Sequence, residues 1–292
     1  MSNEVIISGP SSIKLAENIS NLLNINLVYP ELKIFDDGES RIRINGISNK
    51  NCIIVQSLYP PVDRHIMQLL MIVQKCKIEN AEKITAIIPY MAYARQDKVF
   101  QDGEIISIAL LSKLLKSLGV DKIITIDIHN EISETYFSME FINISAIPTL
   151  AKYIINNYKL KDPIVVSPDK GGLKRAQKFA DIIKSEVTFL KKTRDRNTGK
   201  VIMEDRTDTN FENKDILLVD DMISTGSSII EACKILKQKN VHKIYVICTH
   251  ALFLNNALPK IKDIGINNII STNSIPNECG SVDISQIISE TI

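Results

Sequence analysis

The chain has 292 residues, which is long enough for two domains of ordinary size. Hydrophobic residues make up 45% and charged residues 24%, as in a soluble globular protein. The formal net charge of +1 excludes a global field that would attract nucleic acid or an anionic membrane, so any anion site must be built locally.

Short apolar runs alternate along the chain with longer amphipathic stretches. The apolar runs are continuous, as expected for strands of a parallel sheet that is covered on both faces. In chain order, the predicted strands are EVIIS, NCIIVQS, KITAIIPY, KIITIDIH, PIVVSP, DILLVDD and KIYVICTH. The clearest helical patterns are SIKLAENISNLLN, RHIMQLLMIVQKCK, ISIALLSKLLKSLG and SSIIEACKILKQKN. This alternation predicts an α/β fold in which mainly parallel sheets are flanked by helices.

The strand–helix order runs twice along the chain. The first series ends near KIITIDIHN, and the second restarts at PIVVSPDKGG. We therefore predict an N-terminal domain of residues 1–145 and a C-terminal domain of residues 146–292. The polar stretch KKTRDRNTGKVIMEDRTDTNFENKD is expected to contain a strand end, a mobile loop and a connection.

The five cysteines are far apart in the sequence, odd in number and form no CxxC pair. This pattern argues against a disulfide framework and against a zinc site. We expect reduced thiols, most of them buried. The N-terminal MSNEVIISGPSS does not have the pattern of a signal peptide, and no apolar run approaches the roughly 20 residues that span a bilayer. A cytoplasmic protein is expected.

The segment ILLVDDMISTGSSII places Asp220 and Asp221 at the end of a predicted strand, before a small-residue loop and a helix. Ligands of open parallel sheets bind at such strand ends. Backbone N–H groups of the loop and the helix N-terminus suit a phosphate, whereas the carboxylates suit sugar hydroxyls or a metal ion. A ribose 5-phosphate satisfies both requirements. The predicted phosphate loop consists of Ser224, Thr225, Gly226, Ser227 and Ser228.

A second glycine-containing loop follows the strand PIVVS. Gly171 and Gly172 allow close approach of the backbone to a ligand, Asp169 can reach Mg²⁺, and Lys170 adds a positive charge. In TIDIHN, side-chain alternation along a strand would place Asp127 and His129 on one side, where they could hold the Mg²⁺ of a nucleotide. An ordinary glycine turn and a structural histidine are the alternatives.

Each of three further polar segments, taken alone, fits either a binding site or a solvent-exposed loop. Arg95 and Gln96 in YARQDK suit phosphate and nucleotide contacts, but the segment also fits a surface loop. In FDDGES, an exposed acidic turn competes with a purine site in which Phe35 stacks and the carboxylates of Asp37 and Glu39 accept hydrogen bonds. The basic segment KKTRD is usually solvated, unless it closes over a reacting phosphate.

Taken together, these segments resemble the ribose-phosphate pyrophosphokinase family. The resemblance covers almost the whole chain in the family's order. It is carried by FDDGES (35–40), YARQDK (93–98), TIDIHN (125–130), VVSPDKGGLKRA (165–176), DILLVDDMISTGSSI (215–229) and THALF (249–253). Ser224 stands where the common family loop has a third aspartate, and EISETYFSMEFINIS differs from the phosphate-regulated members. The sequence looks nearer to the shorter, archaeal-type members.

The resemblance implies two tandem type I phosphoribosyltransferase-like domains and transfer of diphosphate from Mg-ATP to ribose 5-phosphate. It implies ATP contacts for Arg95, Gln96 and His129, and a diphosphate loop at residues 169–172. Lys192 and Arg194 match the catalytic cations, and Lys191 is an alternative to Lys192. FDDGES serves a neighbouring subunit in the family, so a homo-oligomer based on a dimer is implied. A phosphoribosyltransferase and a non-catalytic relative are the competing hypotheses.

Overall fold

The computed structural model describes residues 3–194, 201–204 and 209–292, with the backbone alone described at 191–194 and 201–204. It contains two compact units. The first comprises Met1–Ser145, Ser274–Pro276 and Asp283–Ile292, and the second comprises Ala146–Asn273 and Asn277–Val282. The C-terminal segment thus departs from the sequence-based division at 146–292, because α8 (Ser285–Ser289) packs against α1 (Ile13–Leu23) of the first unit.

The first unit is built on a six-stranded parallel sheet with the order β2-β1-β5-β6-β7-β8. Its sheet strands are β1 (Glu4–Ser8), β2 (Leu27–Val28), β5 (Asn51–Val55), β6 (Ile84–Ile88), β7 (Lys122–Ile126) and β8 (Glu140–Ile144). An antiparallel hairpin is formed by β3 (Glu31–Ile34) and β4 (Ser40–Arg43). The other helices are α2 (Val62–Ile78), α3 (Ser107–Ser117) and a 3₁₀ helix (Glu131–Tyr136).

The second unit is built on a five-stranded parallel sheet with the order β10-β9-β13-β14-β15. Its sheet strands are β9 (Ile164–Ser167), β10 (Glu186–Phe189), β13 (Asp215–Ile223), β14 (Lys243–Ala251) and β15 (Asn268–Ser271). An antiparallel pair is formed by β11 (Lys191–Arg194) and β12 (Val201–Glu204). The helices are α4 (Ile147–Asn157), α5 (Leu173–Ile183), α6 (Ser227–Lys237), α7 (Ala257–Asp263) and a 3₁₀ helix (Leu254–Asn256).

Each unit has its own core, and the continuous apolar strands lie at its centre. Every residue of β6, β7 and β9 is buried, including the aliphatic stem of Lys122. Strands buried on both faces cannot alternate between apolar and polar residues, which explains the continuous runs in the sequence. The expected α/β architecture with mainly parallel sheets is confirmed.

All five cysteines are buried and free, in agreement with the expectation from their spacing. In the described segments, no helix is both long enough and apolar enough to cross a membrane.

Candidate active site

The central strand of the second unit carries the paired aspartates. Asp220 and Asp221 lie on β13 itself, which continues to Ile223 beside β14. The N–H of Asp221 donates to Oδ1 of Asp220 at 2.9 Å. The side chain of Asp221 is buried, whereas that of Asp220 keeps part of its surface exposed. Two carboxylates therefore lie side by side near the carboxyl end of a parallel strand, where such sheets bind ligands.

The loop after β13 turns sharply into α6. Gly226 has φ of +76°, a conformation that glycine adopts without steric cost, and it immediately precedes the helix. The carbonyl of Ser224 accepts from Leu254 N–H at 2.9 Å, and the hydroxyls of Thr225 and Ser227 lie 3.2 Å apart. Within the described residues, the N–H groups at 225–227 have no protein acceptor. These donors at a helix N-terminus suit an anion.

The electrostatics of the aspartate pair depend on Arg175 of α5. Its Nη1 lies 3.6 Å from Oδ1 of Asp220 and 3.6 Å from Oδ1 of Asp221. Burial raises the pKa of Asp220 well above its ordinary value, and the charge and hydrogen bonding of Asp221 add to this, whereas Arg175 opposes it. Sequence reasoning did not single out Arg175. The available signal was a cation in the first turn after the glycine loop of VVSPDKGGLKRA.

The glycine loop between β9 and α5 is organised by Asp169. Its Oδ1 accepts from the N–H groups of Gly171 at 2.9 Å and Gly172 at 3.2 Å, so these two N–H groups already have an acceptor within the loop. A Cβ at Gly172 would lie 2.5 Å from Oγ of Ser167, so a side chain there would displace that hydroxyl, which donates to the carbonyl of Asp169 at 2.8 Å. Lys170 is exposed. The loop geometry is therefore fixed by its own aspartate.

In the first unit, the YARQDK loop is held to the segment after β7. Asn130 Nδ2 donates to the carboxylate of buried Asp97, and the hydroxyl of Tyr136 donates to the carbonyl of Asp97 at 2.8 Å. The neighbouring side chain of Arg95 is exposed, and Gln96 Nε2 donates to Glu104 at 3.1 Å. These contacts bring the loop of Arg95 and Gln96 beside the segment that carries His129.

The strand argument for Asp127 and His129 was wrong in its geometry. Strand β7 ends at Ile126, and Asp127 has φ of +38°, so the alternation of an extended strand does not reach these residues. The carboxylate of Asp127 accepts from the hydroxyl of Ser145 at 2.9 Å, and His129 is exposed. The metal-binding role of these two residues stays a prediction.

FDDGES forms the exposed tip of the β3–β4 hairpin. Phe35 N–H donates to the carbonyl of Glu39 at 2.9 Å, and Oδ1 of Asp37 accepts from Glu39 N–H at 3.0 Å. The partly exposed ring of Phe35 lies 4.9 Å from Lys33 Nζ and 6.0 Å from Arg41 Cζ. Both cations thus lie over the ring at cation–π distance, and the purine site at this tip stays a prediction.

The backbone of Lys191, Lys192 and Arg194 lies on β11, which pairs with β12. Their side chains lie outside the described part of the chain, so their catalytic assignment remains a prediction.

A metal site was also expected from the sequence. Among the described residues, no group of three or more His, Cys, Asp or Glu side chains forms a metal cage. Magnesium retains several waters and takes one or two carboxylates together with substrate phosphates. The carboxylate of Asp127 and that of Asp169 are each oriented by a hydrogen bond within their own unit, and their metal-binding role stays a prediction.

Two parallel α/β units, the second with a phosphate-type loop between its central strand and a helix, define the class of type I phosphoribosyltransferase-fold proteins. The N-terminal domain of ribose phosphate pyrophosphokinase matches residues 4–119, and a phosphoribosyl transferase domain matches residues 142–283. The chain belongs to the ribose-phosphate pyrophosphokinase family.

Similar proteins extend over the full length of the chain. Ribose-phosphate pyrophosphokinases of Sulfurisphaera tokodaii and Sulfolobus acidocaldarius are each 37% identical, over 99% of this chain and 100% of their own length. The crystal structure of phosphoribosylpyrophosphate synthetase from Mycobacterium smegmatis has a TM-score of 0.89 at 28% identity, and the match covers 99% of this chain and 97% of that one. The full-length archaeal relatives confirm the family resemblance.

Proposed function

We propose that this chain transfers the diphosphoryl group of Mg-ATP to O1 of ribose 5-phosphate, giving 5-phosphoribosyl 1-diphosphate and AMP for nucleotide biosynthesis. The observation that carries the proposal is the similarity of the whole chain to ribose-phosphate pyrophosphokinases at 37% identity. A match to the phosphoribosyl transferase domain alone would fit a base-adding enzyme, but residues 4–119 match the N-terminal domain of the pyrophosphokinase.

Ribose 5-phosphate binds at the β13–α6 segment. The N–H groups at 225–227, which have no acceptor among the described residues, receive the 5-phosphate with the hydroxyls of Thr225 and Ser227. Asp220 and Asp221 accept from the ribose hydroxyls. Ser224 and Ser228 complete the loop, and Ser224 reduces its negative charge relative to a loop with a third aspartate.

ATP binds through residues of the first unit. Arg95 contacts phosphate oxygens, and Gln96 and His129 contact the nucleotide. Phe35 stacks on the purine of an ATP molecule bound to a neighbouring subunit, and the carboxylates of Asp37 and Glu39 accept hydrogen bonds there. Mg²⁺, when bound, neutralises charge on the phosphates; Asp127, His129 and Asp169 are the residues that would hold it. A homo-oligomer based on a dimer follows from the role assigned to the hairpin tip.

The reaction needs positioning and charge stabilisation rather than a covalent intermediate. The O1 hydroxyl of ribose 5-phosphate attacks the β-phosphorus of ATP and loses its proton to solvent. The bond from the β-phosphorus to the bridging oxygen of AMP breaks. Residues 169–172 receive the transferred diphosphate, and Lys192 and Arg194, with Lys191 beside them, stabilise the charge that develops on the phosphate oxygens.

The nucleotide product tests the reaction. Purified protein incubated with ATP, Mg²⁺ and ribose 5-phosphate should give AMP and 5-phosphoribosyl 1-diphosphate in equal amounts, measured by anion-exchange chromatography. Formation of ADP would contradict diphosphoryl transfer. Pyrophosphate release that requires an added purine or pyrimidine base would instead indicate a phosphoribosyltransferase.

The five free, buried cysteines suit a reducing compartment, and we propose the cytoplasm as the location.

A further inference from the structure

Arg175 contacts the paired aspartates of β13 from the helix that follows the glycine loop. It is in the first turn of α5, where its backbone N–H donates to the carbonyl of Gly172 at 3.1 Å. Its side chain is only 19% exposed, and its Nη1 is equidistant from the carboxylates of Asp220 and Asp221 at 3.6 Å. One guanidinium nitrogen therefore faces both acids from a helix that begins at the glycine loop.

The two carboxylates require such a neighbour. Adjacent like charges favour retention of a proton by one member of the pair, and burial strengthens that tendency. A protonated carboxyl turns one of its two oxygens into a donor, whereas two ionised carboxylates offer only acceptors to the sugar hydroxyls. Both distances from Arg175 exceed the 2.7–3.2 Å of a close N–H···O hydrogen bond, so Arg175 acts on the two acids mainly through its charge.

We propose that Arg175 is a positioning residue for ribose 5-phosphate: its guanidinium opposes protonation of the Asp220–Asp221 pair and orients both carboxylates as acceptors for the ribose hydroxyls. This role rests on the proposed function, because the sugar is the assumed ligand of the pair. Arg175 acts through the aspartates and not on the reacting atoms. Its removal should therefore weaken sugar binding far more than it slows turnover at saturating substrate.

The test compares Arg175→Gln, Arg175→Lys and Lys178→Gln with the unaltered protein. Lys178 is an exposed cation on the same helix and provides the matched control. Isothermal titration with ribose 5-phosphate, without ATP, should give a dissociation constant raised about tenfold or more by Arg175→Gln. Arg175→Lys should recover part of that loss, and Lys178→Gln should change nothing. In turnover assays, KM for ribose 5-phosphate should rise while kcat stays within about threefold.

A double variant separates positioning from general structure. In an Asp220→Asn background the like-charge pair is gone, so Arg175→Gln should raise the dissociation constant less than it does alone. Equal effects in both backgrounds, or a loss of kcat with unchanged sugar affinity, would overturn the proposal. If circular dichroism shows that Arg175→Gln does not fold, Arg175→Lys decides the question. An Arg175→Lys protein with the affinity and the KM of the unaltered protein would show that a guanidinium is not required at this position.

The two levels of inference fail differently. An unaltered protein that binds no ribose 5-phosphate and forms no AMP contradicts the proposed function. Normal binding and AMP formation in the unaltered protein, with the same affinity in Arg175→Gln, contradict the role of Arg175 alone.

Discussion

At the scale of single residues, Gly226 shows which constraints act on the sequence of the predicted phosphate loop. Its φ of +76° is unfavourable for any residue with a side chain, and a Cβ there would lie 3.0 Å from Cδ1 of Ile261 and 3.3 Å from Cβ of Ala257 on α7. Two independent constraints therefore act on one position. The turn brings the following N–H groups to the start of α6, and the absence of a side chain lets α7 pack closely against it.

These two constraints can be separated by substitution. Gly226→Ala should lower the free energy of unfolding through both backbone strain and crowding, whereas Gly46→Ala should act through strain alone. Gly46 has a similar φ of +78°, and a Cβ there meets nothing within 4 Å. We expect a loss of roughly 1 kcal/mol for Gly46→Ala and at least about 1 kcal/mol more for Gly226→Ala. Urea unfolding measures both, and equal losses would show that α7 moves aside at no cost.

At the scale of elements, Glu104 organises the loop that carries Arg95 and Gln96. One carboxylate oxygen, Oε2, accepts from the N–H of Phe100 at 2.9 Å, from the N–H of Gln101 at 3.2 Å and from Gln96 Nε2 at 3.1 Å. These hydrogen bonds lower the pKa of Glu104, first through Phe100 and then through Gln101. An exposed carboxylate thus supplies the order of a segment that has little apolar burial.

Glu104→Ala should therefore weaken ATP binding without unfolding the protein. The freed loop must be ordered when the nucleotide binds, so we expect KM for ATP to rise several-fold and KM for ribose 5-phosphate to stay constant. Glu82→Ala, at another exposed glutamate of the first unit, is the control. Steady-state kinetics with each substrate varied in turn measures both constants. Equal increases for the two substrates would contradict a local role of the loop.

The sequence predicted regular elements more successfully than irregular ones. Every predicted strand corresponds to an observed one, since runs such as KITAIIPY are apolar throughout. Strands β8 and β15 lie at the edges of their sheets and were missed; β8 has no fully buried residue, so its sequence lacks a continuous apolar run. The left-handed backbone at Asp127 was not predictable, because a non-glycine residue with positive φ depends on tertiary hydrogen bonds, here from its N–H to Ile144 and from Ser145 to its carboxylate.

The loops of the candidate site were predictable from the sequence, whereas the contacts between distant residues were not. Loop residues such as Asp169 and Gly226 stand in recognisable local segments. Arg175 meets Asp220 and Asp221 across about 45 positions of the chain, a pairing that depends on the packing of α5 against β13. Contacts of this kind leave no local signature, so the structure was needed to find the cation beside the acids.

At the scale of the whole molecule, His65 links stability to pH. Burial lowers the pKa of His65 most strongly, the hydrogen bond to the carbonyl of Tyr59 opposes this, and the nearby charge of Arg64 lowers it further. Nδ1 of His65 lies 2.6 Å from the carbonyl oxygen of Tyr59. The Tyr59 ring packs edge to face against the imidazole, with 4.8 Å between the ring centroids. The folded state therefore favours the neutral imidazole at the start of α2.

The sign of the pH effect follows from the lowered pKa. The unfolded chain takes up a proton at His65 below its ordinary pKa of about 6.5, whereas the folded chain takes it up only at lower pH. Stability from this residue is complete above about pH 6.5 and is lost as the pH falls from there through the lower, folded pKa. Urea unfolding at a series of pH values should show a smaller decline for His65→Gln than for the unaltered protein between about pH 6.5 and 5. Parallel declines would mean that His65 is protonated as readily in the folded state as in the unfolded chain, and the acid sensitivity would then have to come from carboxylates elsewhere in the molecule.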